Sequence, residues 1–368
     1  MTDEERERGA PETAMAVPGL VTRQKDPENL EMPFSGVHDF LTPVEQLYVR
    51  NHFDVPRIDA ATWRVSVEGA VQRPFEIAYE ELCGLPSRTL VALLECSGNG
   101  RLFLSPPEAG LPWELGAVGN IEWTGTPLWP LLERAGVEAS AREVVLVGAD
   151  QGEPRDPEPS APGPIAFARS LPLEKASRAE VLLAHRMNGQ PLTPRHGFPV
   201  RAVVAGWYAM ASVKWLRRIV AVDRPFQGYF QTFAYARWER RHGLPSLVPV
   251  GELQVKAQIA RPAPHERVRA GSTVRVRGTA WSSDAAVTRV ELSTDGGASW
   301  LEARLLDEPS PYTWRRWEIA WQAPAQPGRC TLMARATDAR ARTQPMERDR
   351  DRRDGMISHV LPIEVELG

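Results

Sequence analysis

The last third of the chain sets the tightest limit on its fold. From Thr273 the sequence runs Thr273-Val-Arg-Val-Arg-Gly-Thr-Ala280, then Thr288-Arg-Val-Glu-Leu-Ser-Thr294, Trp314 to Trp321, and Thr331-Leu-Met-Ala-Arg-Ala-Thr337. Apolar and polar residues alternate with period two, as on half-buried strands. Asp295-Gly296-Gly297 is a hairpin turn signal. Short strands at this spacing predict an all-β sandwich. Pro245 and Pro249 mark a linker ahead of it, which places a domain boundary at residue 249.

Before that boundary the pattern is mixed. Trp63 to Val67 alternates like a strand, and Tyr79 to Leu85 reads as a short helix stopped by Gly84 and Pro86. Thr89 to Leu94 is an apolar strand that ends in a turn carrying Cys96. Leu128 to Ala135 is an amphipathic helix closed by Gly136, and Gly152 to Pro164 is a loop. Glu143 to Val147, Val181 to His185, Val200 to Val204 and Lys214 to Val222 are further strands. Without a regular βαβα rhythm this is an α+β pattern, not a doubly wound sheet. Residues 1–40, polar and rich in Pro and Gly, read as an extended arm. The expected plan is an arm at 1–40, an α+β domain at 41–249 and a β-sandwich at 250–368. A length of 368 residues suits two domains.

Composition removes several functions. A net charge of −3 gives no basic field for nucleic acid. Three cysteines without a Cys-x-x-Cys pair argue against a disulfide framework, a zinc site and c-type haem attachment. No Gly-x-Gly-x-x-Gly follows a strand and no Walker loop is present, so nucleotide binding has no support. The most apolar stretch, Ala202 to Val213, is too short to span a membrane. The start Met-Thr-Asp-Glu-Glu-Arg-Glu-Arg carries no export-signal pattern, so the expected location is cytoplasmic, with periplasmic export alongside a partner left open.

Three constellations carry chemistry. Cys96 lies in Leu94-Glu95-Cys96-Ser97-Gly98-Asn99-Gly100-Arg101, where glycine-rich backbone and a cation favour a thiolate. Tyr48-Val49-Arg50-Asn51-His52 groups donors suited to a multiply charged anion. His196-Gly-Phe-Pro-Val-Arg201 and Ser212-Val213-Lys214-Trp215 place three cationic or potentially cationic groups in an apolar stretch, where they need counter-charge. Each alone also has a plain reading: a core cysteine, a surface loop with salt bridges, and edge residues reaching solvent. The run Glu347-Arg-Asp-Arg-Asp-Arg-Arg-Asp354 reads as a solvated loop.

Taken together and in this order, the motifs resemble the sulfite oxidase family of molybdopterin oxidoreductases, over residues 40–368. The resemblance implies a mixed α+β molybdopterin domain followed by an immunoglobulin-like dimerisation domain, hence a homodimer. It implies a molybdenum–molybdopterin cofactor, with Cys96 as the sole protein ligand to the metal. Tyr48, Val49, Arg50, Asn51, His52, Asp150, His196, Arg201, Ser212, Val213 and Lys214 would hold the pterin. Arg50, Arg101, Trp113 and Tyr235 would line the substrate pocket, joined by one of Arg350, Arg352 and Arg353. The implied reaction oxidises sulfite to sulfate and passes electrons to an external acceptor, a cytochrome or other molecule, since no haem domain is visible. Two other readings stay open: reduction of nitrate or a sulfoxide on the same cofactor, and a cofactor-free binding protein on the same fold.

Overall fold

The computed structural model describes residues 19–154, 163–353 and 355–368. Its first strands, β1 (Val21–Gln24) and β2 (Asn29–Glu31), form a hairpin. Leu30, Met32 and Phe34 are buried, with Met32 and Phe34 in the main core. The expectation of an extended arm is therefore corrected for residues 19–40: the apolar residues scattered among its polar ones have a core to enter. Residues 1–18 of that arm lie outside the described residues.

Ten strands follow: β3 (Arg64–Gly69), β4 (Phe75–Ala78), β5 (Arg88–Glu95), β6 (Val118–Pro127), β7 (Glu143–Gly152), β8 (Ile165–Pro172), β9 (Val181–Met187), β10 (Gln190–Pro191), β11 (Arg201–Val204) and β12 (Leu216–Val222). They sort into a sheet ordered β4–β3–β12–β7–β8 and a sheet ordered β10–β9–β6–β5, with β11 also on β9. β12 runs parallel to β3 and antiparallel to β7, so the first sheet is mixed. Alternation builds β3, where Val65 and Val67 are buried between more exposed neighbours. β5 instead goes from exposed to fully buried along its length, and so delivers its end to the interior.

Helices are few and short. The α-helices among the described residues are α1 (Tyr79–Gly84), α2 (Leu128–Ala135) and α3 (Leu173–Ala176). α2 buries Leu128, Leu131, Leu132 and Ala135, one face at i, i+3, i+4 and i+7, and stops at Gly136 in the left-handed region. No described helix is long and apolar enough to cross a membrane. Of the expected loop at 152–164, residues 155–162 lie outside the described residues.

The expected linker is a hairpin, β13 (Ala236–Arg241) paired with β14 (Leu244–Pro249). Pro245 and Pro249 fit there because a two-stranded ribbon leaves an edge whose N–H groups need no partner. The last unit holds β15 (Lys256–Arg261), β16 (Arg267–Val268), β17 (Thr273–Trp281), β18 (Val287–Ser293), β19 (Leu301–Glu302), β20 (Arg304–Leu305), β21 (Arg315–Gln322), β22 (Gly328–Asp338) and β23 (Ile363–Leu367). They form sheets ordered β15–β17–β21–β20 and β16–β23–β22–β18–β19, which share a core that includes Val276, Trp317, Val290, Leu332 and Val365. The N-terminal segment packs on this unit: Trp314 Nε1 donates to the Phe40 carbonyl at 2.8 Å and Arg316 Nη1 to that of His38 at 2.7 Å.

Candidate functional site

β5 pairs with β6 as far as Glu95 opposite Val118, and the chain turns at Cys96. The Cys96 N–H donates to the Ala117 carbonyl at 2.9 Å, and its own carbonyl accepts from Asn99 at 2.9 Å. Gly100 has φ +99°, which favours glycine. A Cβ on Gly98 would lie 2.5 Å from Arg101 Nη1, so glycine there makes room for the guanidinium. Cys96 is buried at the start of the turn. Burial pushes its thiol up, while Arg50, Arg101 and the Gly98 N–H pull it back down without prevailing. The sequence reading counted the cation and the backbone N–H groups but not the burial. A thiol held protonated this way loses its proton on metal coordination.

Cys96 opens into a cavity that it shares with Tyr48, Arg50, Asp150, His196 and Lys214. Tyr48 and Val49 reach its wall because Val49 bridges to Leu30 of β2, with N···O distances of 2.8 and 2.9 Å. Asn51 is fixed behind them, its N–H on Asn29 Oδ1 at 2.8 Å. His52 stacks on Phe167 with ring centroids 4.7 Å apart, and its Nε2 lies 2.6 Å from the Tyr235 hydroxyl. Burial, with the Arg50 and Lys214 charges adding to it, holds His52 well below the ordinary imidazole value. His52 is thus neutral, and in its Nε2–H tautomer it can donate to the phenol oxygen.

The far side of the cavity is cationic. Arg201 donates to the carbonyls of His196 at 3.1 Å and Ser212 at 2.9 Å, and lies over the Trp123 ring. Lys214 Nζ donates to Asn51 Oδ1 and to the Arg195 carbonyl. Thr193 Oγ1 is 2.7 Å from His196 Nδ1, whereas His196 Nε2 has no hydrogen-bond partner. Asp150 sits where the β7–β8 register breaks between Val147 and Gln151, and its Oδ1 also has no partner. Burial pushes Asp150 up to about 7 against the pull of Lys214. Burial, then Lys214 and Arg201, push His196 down to about 3.

Buried polar atoms without partners are rare and call for an explanation. Here an acceptor and an imidazole nitrogen face one cavity beside Arg50, Arg201 and Lys214. That donor set fits an anionic heterocycle bearing amine donors and a phosphate, with a soft thiolate at one end for a metal. Among the described residues, no group of three or more His, Cys, Asp and Glu side chains could hold a metal ion by itself.

The cavity gathers Tyr48, Val49, Arg50, His52, Cys96, Asp150, His196, Arg201, Ser212, Lys214 and Tyr235. Asn51 supports Lys214 from outside it, and Val213 is a core residue whose carbonyl accepts from Ala202 at 2.8 Å. Trp113 is fully buried behind Tyr48, edge-on to its ring, and Arg101 lies across Gly98 with Nη1 on the Leu111 carbonyl at 2.9 Å. Neither lines the cavity. The charged run is not simply solvated: Arg353 Nη1 donates to the Phe233 carbonyl at 2.7 Å, and Arg352 pairs with Asp349 at 2.9 Å. Asp354 lies outside the described residues.

Sequence reasoning missed Arg195, Phe167 and Arg169. Arg195 lines the cavity and forks onto Glu28 at 2.6 and 3.1 Å; it stands next to the flagged His196. Arg169 is fully buried in β8, with Nη1 on the Phe230 carbonyl at 2.5 Å and Nη2 on that of Val250 at 2.6 Å. Its signal was a lone cation inside the apolar alternation Ile165-Ala-Phe-Ala-Arg169.

Comparison with known proteins bears on this arrangement. The family profile described as "Oxidoreductase molybdopterin binding domain" matches residues 52–230, and "Mo-co oxidoreductase dimerisation domain" matches residues 248–360. The chain is 33% identical to mitochondrial sulfite oxidase of Mus musculus over 354 residues, covering 89% of this chain but 62% of that one. It is 31% identical to sulfite oxidase of Arabidopsis thaliana, covering 89% and 88%. The fold is similar to that of the sulfane dehydrogenase SoxCD from Paracoccus pantotrophus, with a TM-score of 0.80 and 25% identity over 98% and 92% of the two chains. The chain belongs to the sulfite oxidase family of molybdopterin oxidoreductases.

Proposed function

We propose that the chain oxidises sulfite to sulfate with a molybdenum–molybdopterin cofactor. The observation that carries this is the cavity itself: one buried cysteine at its end, with unpartnered His196 Nε2 and Asp150 Oδ1 among three cations. When bound, the cofactor supplies oxygen transfer and two-electron redox chemistry. Cys96 would be its protein ligand to metal. Asp150 would accept hydrogen bonds from the pterin, while His196, Arg201, Ser212 and Lys214 would hold its phosphate, with Tyr48, Val49, Arg50 and His52 shaping the wall and Asn51 and Val213 supporting it from behind.

Arg50 would hold the dianion's oxygens and Arg101, beside the Cys96 turn, would add attracting charge, which leaves the sulfur lone pair facing inward. Tyr235, oriented by His52, would add a hydrogen bond, and Trp113 would back Tyr48. The reaction joins sulfite and water to give sulfate, two protons and two electrons. The electrons would leave to an external acceptor. In this reading the first unit is the α+β molybdopterin domain, the paired C-terminal sheets are the immunoglobulin-like dimerisation domain, and the protein works as a cytoplasmic homodimer. The chain spans about three fifths of the mouse relative, so activity, acceptor and assembly all belong to the proposal.

Metal analysis of wild type and Cys96→Ser, followed by dye-linked assays with sulfite and nitrate, tests it. Molybdenum in wild type alone, with sulfite-dependent dye reduction, is the expected result. Equal molybdenum and turnover in the two proteins would end the ligand assignment; wild type without molybdenum would favour a cofactor-free binding protein. A second reading, oxidation of sulfane sulfur, draws on the nearly complete overlap with the sulfane dehydrogenase fold. Thiosulfate in the same assay separates the two.

A further inference from the structure

The face of the Cys96 turn that looks away from the cavity is closed by the C-terminal unit. Glu95, one residue before the cysteine, accepts at Oε1 from Lys256 Nζ at 2.9 Å and at Oε2 from Trp281 Nε1 at 2.9 Å. Lys256 Nζ also donates to the Asn99 carbonyl at 2.9 Å. Asn99 closes the circuit, with Nδ2 on Glu95 Oε1 at 3.2 Å and Oδ1 accepting from the Ala117 N–H at 3.2 Å. Lys256 and Trp281 are cross-strand partners on β15 and β17. The side chains of Lys256 and Glu95 are each 1% exposed, and Asn99 and Trp281 are fully buried. A Cβ on Gly100 would lie 2.8 Å from Leu361 Cδ1, so the same unit also presses on the turn's last glycine.

A dry ion pair between two units reads first as a staple. As a staple it is poorly placed, because buried pairs add little stability over apolar packing. Their better-attested use is to select one arrangement over others. Here one ammonium grips the turn on both sides of Cys96, at the Glu95 side chain and at the Asn99 carbonyl. The span between those two points sets the curvature of the turn and with it the direction of the Cys96 side chain.

We infer that Lys256 is a positioning residue for Cys96: from the C-terminal unit it fixes the aim of the sulfur, and so completes the metal site of the other unit. This rests on the reading of Cys96 as the metal ligand. Outer partners of a metal ligand characteristically change metal affinity by roughly ten-fold or more when removed.

The test compares full-length wild type, Cys96→Ser, Lys256→Met and the double variant Glu95→Gln/Lys256→Met. Three quantities are measured: molybdenum per folded chain, the Mo(V) paramagnetic resonance spectrum after partial reduction, and the thermal midpoint. Lys256→Met is expected to hold roughly ten-fold less molybdenum. The double variant removes the stranded carboxylate and is expected to regain the wild-type midpoint, while its Mo(V) spectrum stays shifted because the Asn99 carbonyl is still ungripped. A double variant with wild-type metal content and spectrum would overturn the inference and leave a plain staple. If Lys256→Met is insoluble, the double variant decides alone. Wild type without molybdenum, or Cys96→Ser with a full complement, would overturn the ligand reading and this inference together. A failure confined to the Lys256 variants leaves the ligand reading standing.

Discussion

At the scale of single residues, the site is held open by glycine as much as by charge. Gly98 leaves the space that the Arg101 guanidinium fills, so a methyl group there would act on the arginine rather than on the turn. Gly98→Ala is therefore expected to reproduce Arg101→Gln: a KM for sulfite raised several-fold as an attracting charge beside the site is displaced or lost, with molybdenum content unchanged. Steady-state kinetics with metal analysis checks this, and metal loss in both variants would move Arg101 from substrate to cofactor. Cys96, Arg50, His196, Arg201 and Lys214 were legible in the sequence because each lies in a contiguous run of unusual chemistry. Arg169 and Phe167 were not. Phe167 lines the cavity and Arg169 braces the Tyr235 segment only because β8 pairs with β7, and a pairing partner is not written in either strand alone.

Among elements, the segment that presents Tyr235 depends on β8. Arg169 donates to the Phe230 carbonyl within that segment's wide helical turn, Tyr229–Ala234, and to the Val250 carbonyl just past β14. Arg169→Met would strand both carbonyls, at about 1–3 kcal/mol each. The expected thermal midpoint falls by roughly 5 °C or more, and kcat falls with it as Tyr235 loses its hold; an unchanged midpoint by calorimetry would show that Arg169 is dispensable. Among strands, β4, β6, β8 and β15 escaped the sequence reading, whereas β3 and α2 follow their periodicities and were legible. The hairpin β13–β14 was not, because prolines that mark a linker elsewhere are equally at home on an exposed ribbon.

Across the whole molecule, burial sets the response to acid. His52, His185, His196 and His359 are all held below the ordinary imidazole value, His196 at about 3 and His359 at about 4. The unfolded chain takes up these protons near pH 6.5 and the folded chain does not. Their contribution is therefore present above about pH 6.5 and lost as pH falls toward the folded values. Asp150 works the other way, since its raised value makes its contribution greatest in acid and lost as pH rises through about 7. Four histidines outweigh two carboxyls, Asp150 and the likewise raised Glu31, so the urea midpoint of the metal-free protein should be lower at pH 5 than at pH 7.5. A midpoint that rises in acid would contradict this balance.

The grip of Lys256 on the Cys96 turn has a consequence in time. A chain emerges from the ribosome N-terminus first, and its domains generally fold as units in that order. Cys96 is made some 160 residues before Lys256, and the ammonium that aims it arrives only as the last third begins to fold. In the proposed role, Cys96 is thus synthesised early and aimed late, only once the C-terminal unit has begun to fold.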